Sequence, residues 1–596
     1  MKESIPHIAL PAEVYSQRRP RSSFRKQCVR LGIIASIAIG LSLSFSTPSL
    51  AAGQKDKNVK LTLLHIGDTH GGLLPRPDLR EGGGELHGGL SRLATELKKI
   101  RKRDSNAILF NTGDTLEEGA EALYTSGQSM IDVLDTFNID GGYTPGNWDF
   151  LYGKSRFLEL FGAGRWNVVA ANVYDADTGQ RIVPPYRIIE TQGIKIGVIG
   201  LTAERGLPAV PTANVGLTFT DGEAELAQSL DELHHTHHVN FVVVLSELGL
   251  AKNTLLADAY PGINIIMSSD MHEVTPDVII GRNGTYTSEN GEGSAAFRDY
   301  VVKFKNGKLV DIKTTWHEIT MNIRPDAQTD ALIKNIRSKF VSGPAFRPHT
   351  SPISGYVLNT PIDTQVGTAE IGIYRSNFSD DPVPGVIEGT SHNLIADAFR
   401  DQAGTDIGVI RGFRYGTDVP PGPIRLQDLY TYLAASAQVA RGDIPGTQLK
   451  NVIENMIDGA LNNDPFQWGG GWLFGFGGVQ FDLDLIEPKG SRAKNVMIKR
   501  VSSGTWEPLD TSQNYSVAGY YFDAEPTRIG AFQNVANLTV LRKPDNSVMD
   551  STDVVVNYLK VHPANPGTGR IRLLQSLPSR VFGNPEIQPL RGATFH

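Results

Sequence analysis

The stretch VKLTLLHIGDTHGG, residues 59–72, determines the architecture expected for the first half of the chain. An apolar run ends at Ile66 and polar turn residues follow at once, as at the end of a buried strand. The same pattern returns, with amphipathic stretches in between, in AILFNTGD (107–114), IKIGVIGL (194–201), NFVVVLSE (240–247) and INIIMSSD (263–270). Strands that alternate with helical patterns predict a layered α/β domain.

Chain length and a change of pattern near Arg324 predict two domains, because 596 residues exceed what one compact core holds. We expect the first α/β domain over residues 58–323. Residues 324–350 read as an interdomain helix and linker, since an amphipathic stretch is followed there by Pro and Gly. Residues 351–596 mix helical patterns with short strands and predict a second α/β domain.

The first 52 residues differ from the rest of the chain. Basic side chains precede the apolar stretch LGIIASIAIGLSLSF (31–45), which leads to SLAA (49–52). This predicts a secretory signal cleaved after Ala51 or Ala52, and a periplasmic or secreted protein. The alternative is an uncleaved anchor, but the stretch is shorter than the roughly 20 residues of a spanning helix. We therefore expect no stable membrane span after cleavage.

Charge and cysteine content exclude several classes of function. The predicted signal carries seven basic and two acidic side chains, so its removal lowers the formal net charge from −7 to −12. Such an acidic chain is not expected to bind nucleic acid. The single cysteine, Cys28, lies in the signal. The mature protein is therefore expected to have neither disulfides nor a cysteine nucleophile.

Polar side chains at the ends of separate β-rich runs form a candidate metal site. Asp68 and His70 follow the first run, Asp114 ends AILFNTGD, and Asn147 follows the turn TPG. Oxygen and imidazole ligands at several strand ends suit a pair of divalent metals about 3.5–4 Å apart. A lone Asp in a turn is more often a helix cap, so the prediction depends on the combination.

DxH, GD and GN, in this order and at these spacings, resemble the calcineurin-like metallophosphoesterases, and in particular the 5'-nucleotidase family. The resemblance implies an N-terminal four-layer β-sandwich flanked by helices and a C-terminal 5'-nucleotidase-type α/β domain that binds substrate. It also implies two divalent metal ions, held by the residues that match the family's ligand positions: Asp68, His70, Asp114, Asn147, Glu247, Asp270 and His272.

The chain departs from the nucleotidase pattern at four positions. Trp148 stands where the nucleotidases have the histidine that assists phosphoryl transfer, and Leu151 replaces its partner aspartate. Glu247 and Asp270 replace two histidine ligands. The extra carboxylates favour Mn, with Mg or Zn as alternatives. The opposing interpretation is that one metal site is lost, which leaves a mono-metal or inactive protein.

Within the family, GNWDFLYG (146–153) and GFRYGT (412–417) resemble segments of the SoxB thiosulfohydrolases. This resemblance implies hydrolysis, by metal-activated water, of a cysteine S-thiosulfonate on a sulfur-carrier protein, with release of sulfate. The candidate catalytic residues are then Asn147, Trp148, Arg411 and Arg414. Arg411, Arg414 and Tyr415 are the candidate substrate-binding residues, because guanidinium groups match oxyanions. For either arginine alone, a surface ion pair is the more common role.

Two rival functions are compatible with the same residues. The first is a 5'-nucleotidase or related phosphoesterase that hydrolyses nucleotides or other small phosphate esters. The second is a catalytically decayed binding protein on this scaffold, which Trp148, Glu247 and Asp270 would explain.

Overall fold

The computed structural model describes residues 57–79, 83–375, 385–462, 464–469 and 471–574. The predicted signal, residues 1–52, and residues 575–596 of the predicted second domain lie outside the described residues. Within these ranges, no helix has both the length and the apolar composition needed to cross a bilayer.

The first half of the chain contains fifteen of the described strands and six of the described helices. The strands are β1 (Asn58–Ile66), β2 (Arg76–Asp78), β3 (Glu85–His87), β4 (Ile108–Asn111), β5 (Gly142–Tyr143), β6 (Val173–Asp175), β7 (Tyr186–Thr191), β8 (Ile194–Leu201), β9 (Leu217–Phe219), β10 (Phe241–Ser246), β11 (Ile265–Ser268), β12 (Ile279–Ile280), β13 (Tyr286–Ser288), β14 (Ala296–Lys305) and β15 (Lys308–Glu318). The helices are α1 (Leu90–Arg103), α2 (Ala120–Tyr124), α3 (Gln128–Leu134), α4 (Gly153–Phe161), α5 (Glu223–Asp231) and α6 (Leu250–Ala259).

Two sheets pack face to face in this half. One has the strand order β15-β14-β1-β4-β5 and the other β12-β13-β11-β10-β8-β7. Side chains such as Leu63, Phe110, Val198 and Val243 fill the space between the sheets. Helices α1, α3 and α4 cover the outer face of the first sheet, and α5 and α6 cover that of the second. The predicted four-layer α/β domain is therefore confirmed.

Parallel pairing decides where the site forms. Strand β1 pairs in parallel with β4, and β4 with β5. In the second sheet β10 pairs in parallel with both β8 and β11. The carboxyl ends of parallel strands meet at one edge of a sheet, so the loops after these strands gather together. Ile66, Asn111, Tyr143, Ser246 and Ser268 end the five strands whose following loops carry the candidate ligands.

The second half is also α/β, as predicted. Helix α7 (Ala327–Arg337) lies in the segment expected to connect the domains. The strands are β16 (His349–Thr350), β17 (Val357–Leu358), β18 (Gln365–Ala369), β19 (Ile407–Gly412), β20 (Gly422–Arg425), β21 (Gln438–Pro445), β22 (Trp472–Gly477), β23 (Val479–Leu483), β24 (Ala493–Lys499), β25 (Trp506–Pro508), β26 (Asn514–Tyr521), β27 (Ala536–Val540) and β28 (Ile571–Leu573). The helices are α8 (Thr390–Ala403), α9 (Leu426–Tyr432), α10 (Gly446–Leu461) and α11 (Ser551–Leu559).

The second half is built on a five-stranded sheet, β22-β19-β26-β21-β27, and a four-stranded sheet, β25-β24-β23-β28. Helix α8 packs against α11, and α10 packs against β22. Strand β19 runs into the segment Arg411–Tyr415, which faces the first half. Trp148 and Leu151 from the first half lie in the same apolar cluster as Phe413 and Tyr415. An apolar contact therefore joins the two halves beside the candidate metal loops.

Two helix N-caps provide a test of pH-dependent stability. Asp550 caps α11, and burial raises the pKa of its carboxyl to about 6, although Ser436 and Thr552 donate hydrogen bonds to it. The folded protein thus holds this proton more tightly than the unfolded chain does, and ionised Asp550 destabilises the fold as pH rises through 6. We expect Asp550→Asn, which keeps an accepting oxygen, to raise stability at pH 8 by on the order of 1–3 kcal/mol and by less at pH 5.

The matched control is Asp326→Asn at the N-cap of α7. Burial alone would raise the pKa of Asp326, but hydrogen bonds from Lys98 and Thr329 outweigh it and lower this pKa. Its stabilising charge is therefore present above the ordinary carboxyl pKa, and the substitution should destabilise equally at pH 5 and pH 8. Thermal melts of the three proteins at both pH values measure the difference. An Asp550→Asn effect that is the same at both pH values would contradict the prediction.

Candidate metal centre

Three groups of buried ligand atoms occur among the described residues: one joins His70 with Glu117 and Glu118, and the other two share Asp68 at the carboxyl edge of the sheets. Asp68, His70 and His272 form one of these two, and Asp68, Asp114 and Glu247 form the other. Within each group the ligand atoms lie within 4.8 Å of one another. Asp68 belongs to both, so the two groups form one continuous centre. The structure thus brings together five of the seven predicted ligands, all of them buried.

Each histidine turns its Nε2 toward the centre and its Nδ1 toward a carboxylate outside it. His70 Nε2 lies 3.6 Å from Asp68 Oδ1, and its Nδ1 contacts Glu117. His272 Nε2 lies 3.9 Å from Asp68 Oδ1, and its Nδ1 lies 2.9 Å from Glu292 Oε2. Carboxylates in this position fix the tautomer and the orientation of metal-binding imidazoles. Sequence reasoning missed Glu117 and Glu292, although Glu117 follows Asp114 in the segment GDTLEE.

Two oxygens, one in the second group and one beside it, are left unpaired by the other described protein groups. Asn147 Oδ1 and Glu247 Oε2 are buried without a hydrogen-bond partner within the described residues. The Ser269 hydroxyl donates to the other Glu247 oxygen at 2.6 Å, and the backbone N–H of Trp148 donates to Asp114 Oδ1 at 2.8 Å. Asn147, the sixth predicted ligand, thus lies beside the centre with its amide oxygen available.

The charges of this donor set fit divalent cations. Burial, and then the neighbouring carboxylates, raise the pKa values of Asp114 and Glu247 well above the usual range. Buried carboxylates in such proximity ionise only when a cation offsets their repulsion. Asp68, Asp114, Asn147 and Glu247 are oxygen donors, which hard cations prefer, and His70 and His272 add imidazole. The residues present therefore fit two divalent metals.

The seventh predicted ligand, Asp270, is placed differently. Its carboxylate belongs to none of the three ligand groups found among the described residues. Both of its oxygens instead accept hydrogen bonds from Arg205 Nη2, at 3.0 and 3.1 Å, and Oδ1 also lies 3.2 Å from Arg414 Nη2. Its backbone N–H donates to the Asp68 carboxylate at 3.2 to 3.3 Å. Sequence reasoning missed Arg205.

The backbone at this centre is strained. Asp68, His70, Asp114, Asp270 and His272 all have positive φ, between 38° and 88°. Non-glycine residues seldom adopt this conformation, which costs on the order of 1–3 kcal/mol per residue. Five such residues in one place indicate that the surrounding loops hold the side chains in position for a function.

Asp149 fixes the two loops that carry Asp114 and Asn147. Its Oδ1 accepts hydrogen bonds from the backbone of Thr115 and Leu116, and its Oδ2 accepts from the backbone of Gly146 at 2.8 Å. The Tyr143 hydroxyl also donates to Oδ2, at 2.5 Å. One buried carboxylate thus ties the GD loop to the GN loop and sets the spacing of their ligands.

A cavity of about 340 Å³ opens from the centre toward the second half of the chain. The metal side of its lining includes Asp114, Asn147, Trp148 and His272, and the opposite side includes the three predicted substrate-binding residues, Arg411, Arg414 and Tyr415. The Tyr415 ring lies 4.9 Å from Trp148 and 6.0 Å from His70, centre to centre. Arg411 lies over Phe474, and burial together with Arg528 lowers the pKa of Arg411 to about 10.

Family models match both halves of the chain. Residues 61–305 match the calcineurin-like phosphoesterase domain, and residues 365–528 match the 5'-nucleotidase C-terminal domain. The chain belongs to the 5'-nucleotidase family. It is therefore a hydrolase of the metallophosphoesterase type, and calcineurin-like phosphoesterases use divalent metals.

Two curated relatives of this 5'-nucleotidase-family hydrolase span nearly its full length. A probable 5'-nucleotidase of Treponema pallidum is 22% identical and covers 89% of this chain and 96% of its own. The NAD 5'-nucleotidase of Haemophilus influenzae is also 22% identical, over 89% of this chain and 95% of its own.

Two solved structures from Thermus thermophilus share the fold. The sulfate thiohydrolase SoxB, in complex with glycerol, has a TM-score of 0.71 at 20% identity and covers 86% of this chain and 96% of its own. A 5'-nucleotidase precursor has a TM-score of 0.70 at 21% identity, over 87% of this chain and 99% of its own. The two scores are nearly equal, so the fold alone does not choose between the activities.

Gly146 provides a direct test of the metal centre in this 5'-nucleotidase-family hydrolase. A Cβ at this position would lie 2.7 Å from Glu247 Oε2 and closer still to Asp114 Oδ1. We expect Gly146→Ala to displace these carboxylates and to remove at least one metal equivalent per chain, measured by elemental analysis after Mn reconstitution. Gly162→Ala is the control, since a Cβ there meets no atom within 4 Å. A full metal complement in Gly146→Ala would refute this arrangement.

Glu117 provides a test of the outer carboxylates. We expect Glu117→Gln to weaken metal binding about 10- to 100-fold, because it removes the charge that orients and polarises His70. Chelator competition measures the affinity. Glu318→Gln is the matched control, because Glu318 also pairs with an imidazole Nδ1, that of His87 at 2.8 Å, but belongs to none of the ligand groups found. Equal effects of the two substitutions would rule out the proposed role of Glu117.

Proposed function

We propose that the protein is a SoxB-like thiosulfohydrolase that acts outside the cytoplasm and releases sulfate from a cysteine S-thiosulfonate on a carrier protein. The observation that carries this proposal is Trp148, next to the candidate ligand Asn147 in the cavity lining. An indole occupies the position where the nucleotidase motif has its acid–base histidine.

In place of the histidine–aspartate pair of the nucleotidase motif, the chain has Trp148 and Leu151, neither of which transfers a proton. Leu151, at the position of the aspartate, is fully buried, and both residues pack with Phe413 and Tyr415. This region has become an apolar contact between the two halves. A site with this composition suits a leaving group that departs without being protonated.

The thiosulfonate supplies such a leaving group. Water adds its oxygen to the terminal sulfonate sulfur, and the bond between this sulfur and the neighbouring sulfur breaks. The electron pair stays on the carrier as a persulfide, and one sulfate and two protons are released. A persulfide is much less basic than the alkoxide that leaves from a nucleotide, so general-acid assistance is needed less.

The residues of the chain have separate parts in this reaction. Divalent metals, Mn in our proposal, supply Lewis acidity and lower the pKa of water when bound. Asp68, His70, Asp114, Asn147, Glu247 and His272 would hold them. Arg411 and Arg414 orient the sulfonate from the second half of the chain. Trp148 and Tyr415, with rings 4.9 Å apart, exclude solvent from one side of the cavity.

A second candidate is hydrolysis of nucleotides or other small phosphate esters. Arg411 lies over the Phe474 ring at 6.0 Å in the cavity lining, a combination that also suits an aromatic, anionic ligand. The full-length curated relatives named above as nucleotidases favour the same alternative. A decayed binding protein is the third reading, and turnover measurements separate all three.

The decisive experiment compares two products from one Mn-loaded preparation. We expect sulfate release from a peptide with a C-terminal cysteine S-thiosulfonate, at a kcat/KM at least 100-fold above that for phosphate release from nucleoside 5'-monophosphates. The reverse ratio would establish the phosphoesterase. A protein that binds no metal and turns over neither substrate would be a binding protein.

Trp148 predicts how the rate depends on the leaving group. Among phosphate monoesters, kcat/KM should fall steeply from nitrophenyl to alkyl esters, because residue 148 cannot protonate the departing oxygen. Trp148→Phe should keep this steep dependence, whereas Trp148→His should flatten it by improving the alkyl esters. A flat dependence in the unmodified protein would mean that another group acts as the acid.

A further inference from the structure

Asp270 holds together charged groups from both halves of the chain. Arg205 follows β8 in the first half, whereas Arg414 follows β19 in the second. Arg205 Nη2 reaches both oxygens of the Asp270 carboxylate, and Arg414 Nη2 reaches Oδ1 and the backbone carbonyl of the same residue. The Asp270 side chain is 2% exposed, Arg414 7% and Arg205 13%. The triad is therefore almost completely withdrawn from water.

This arrangement leaves little for a metal to bind. Both carboxylate oxygens already accept hydrogen bonds from guanidinium groups, whose positive charges repel a further cation. In contrast, Glu247, at the other position where the family motif has a histidine, keeps one oxygen unpaired and belongs to a ligand group.

Two more residues, Glu204 and Lys252, extend the network. Glu204 lies 3.4 Å from Arg205 Nη1 and also contacts Lys252, whose side chain is 2% exposed. Asp270 and Glu204 thus hold two guanidinium groups, those of Arg205 and Arg414, in fixed positions. Fixed guanidinium groups at the edge of a cavity favour an anionic ligand there.

The open side of the network is the cavity next to the metal centre. Arg205 and Arg414 both line this cavity, together with Asp114, Asn147 and His272. Guanidinium groups bind sulfonate and phosphate oxygens in the same way, through paired N–H donors. They retain their charge at every working pH, and they stabilise negative charge on oxygen without transferring a proton. This matches a site in which Trp148 has replaced the proton-transferring histidine.

We propose that Asp270 is a positioning residue and not a metal ligand, and that it holds Arg205 beside Arg414 so that both guanidinium groups bind the tetrahedral oxyanion of the substrate. The proposal rests on hydrolysis at this site but not on which substrate is cleaved, since sulfonate and phosphate groups both present tetrahedrally arranged anionic oxygens. Arg205 thereby becomes a substrate-binding residue contributed by the first half of the chain.

Metal content separates the two roles of Asp270. We expect Mn-reconstituted Asp270→Asn to retain two metal equivalents per chain, whereas Glu247→Gln loses one. Asparagine tolerates the positive φ of 88° at position 270, so the substitution preserves the backbone. If Asp270→Asn loses one equivalent, as Glu247→Gln does, then Asp270 is a ligand and the proposal is wrong.

Binding of inorganic sulfate and inorganic phosphate, measured by calorimetry on the Mn-loaded protein, tests the arginines whatever the true substrate is. We expect Arg205→Gln and Asp270→Asn each to weaken the better-bound ion at least 10-fold, and Arg205→Lys to recover part of the loss. Arg441→Gln, at an exposed arginine in the second half, should change nothing. Unchanged ion binding in Arg205→Gln with full metal content would overturn the proposal, even if Asp270→Asn failed to fold.

Steady-state kinetics with the substrate that the unmodified protein hydrolyses complete the test. Arg205→Gln should raise KM at least 10-fold with a smaller loss of kcat, a split that mere loss of stability would not produce. Failure of the unmodified protein to release sulfate would refute the thiosulfohydrolase assignment alone. The metal count and the ion affinities would still decide the role of Asp270.

Discussion

The repulsion among buried carboxylates at the carboxyl edge of the sheets is the constraint on which the rest of the site depends. Asp68, Asp114 and Glu247 point toward one another without contact with bulk water. Such an arrangement is stable only with cations among the carboxylates or with protons on them. The two imidazoles, the unpaired amide oxygen of Asn147 and the outer carboxylates follow from this constraint, because each adds a metal donor or orients one.

Strained backbone conformations and buried hydrogen bonds hold this arrangement in place. Five residues of the centre take positive φ, and Asp149 ties two of the ligand loops together. Each strained residue raises the free energy of the folded state. These residues lie where parallel strands of the two sheets end together. The packed layers on either side make the strain tolerable, since any relaxation would have to move β1, β4 or β11 within a filled core.

The second half of the chain contributes apolar side chains that cover one side of the cavity, and positively charged arginines. Apolar contacts of Trp148 and Leu151 with Phe413 and Tyr415 join the two halves. The motif resemblance assigns Trp148 and Leu151 to the positions of the nucleotidases' acid–base pair. The arginines near this contact, Arg411 and Arg414, bring positive charge toward the carboxylates. The replacement of a proton donor by an apolar contact, next to fixed positive charge, is the physical basis for expecting a weakly basic leaving group.

The sequence by itself determined the α/β fold of both halves and placed the candidate ligands at strand ends. Buried strands and polar loop residues leave a local signal, and the order DxH, GD, GN specifies which loops must meet.

Only the tertiary structure decided the partners of those side chains. Glu117 and Glu292 are ordinary loop carboxylates in the sequence, and nothing local shows that they hold His70 and His272. The motif position of Asp270 predicts a metal ligand. Its carboxylate instead faces Arg205 and Arg414, which reach it from 65 and 144 residues away. Pairing across such distances depends on how the loops of two domains pack together, and neither periodicity nor motif spacing carries that information.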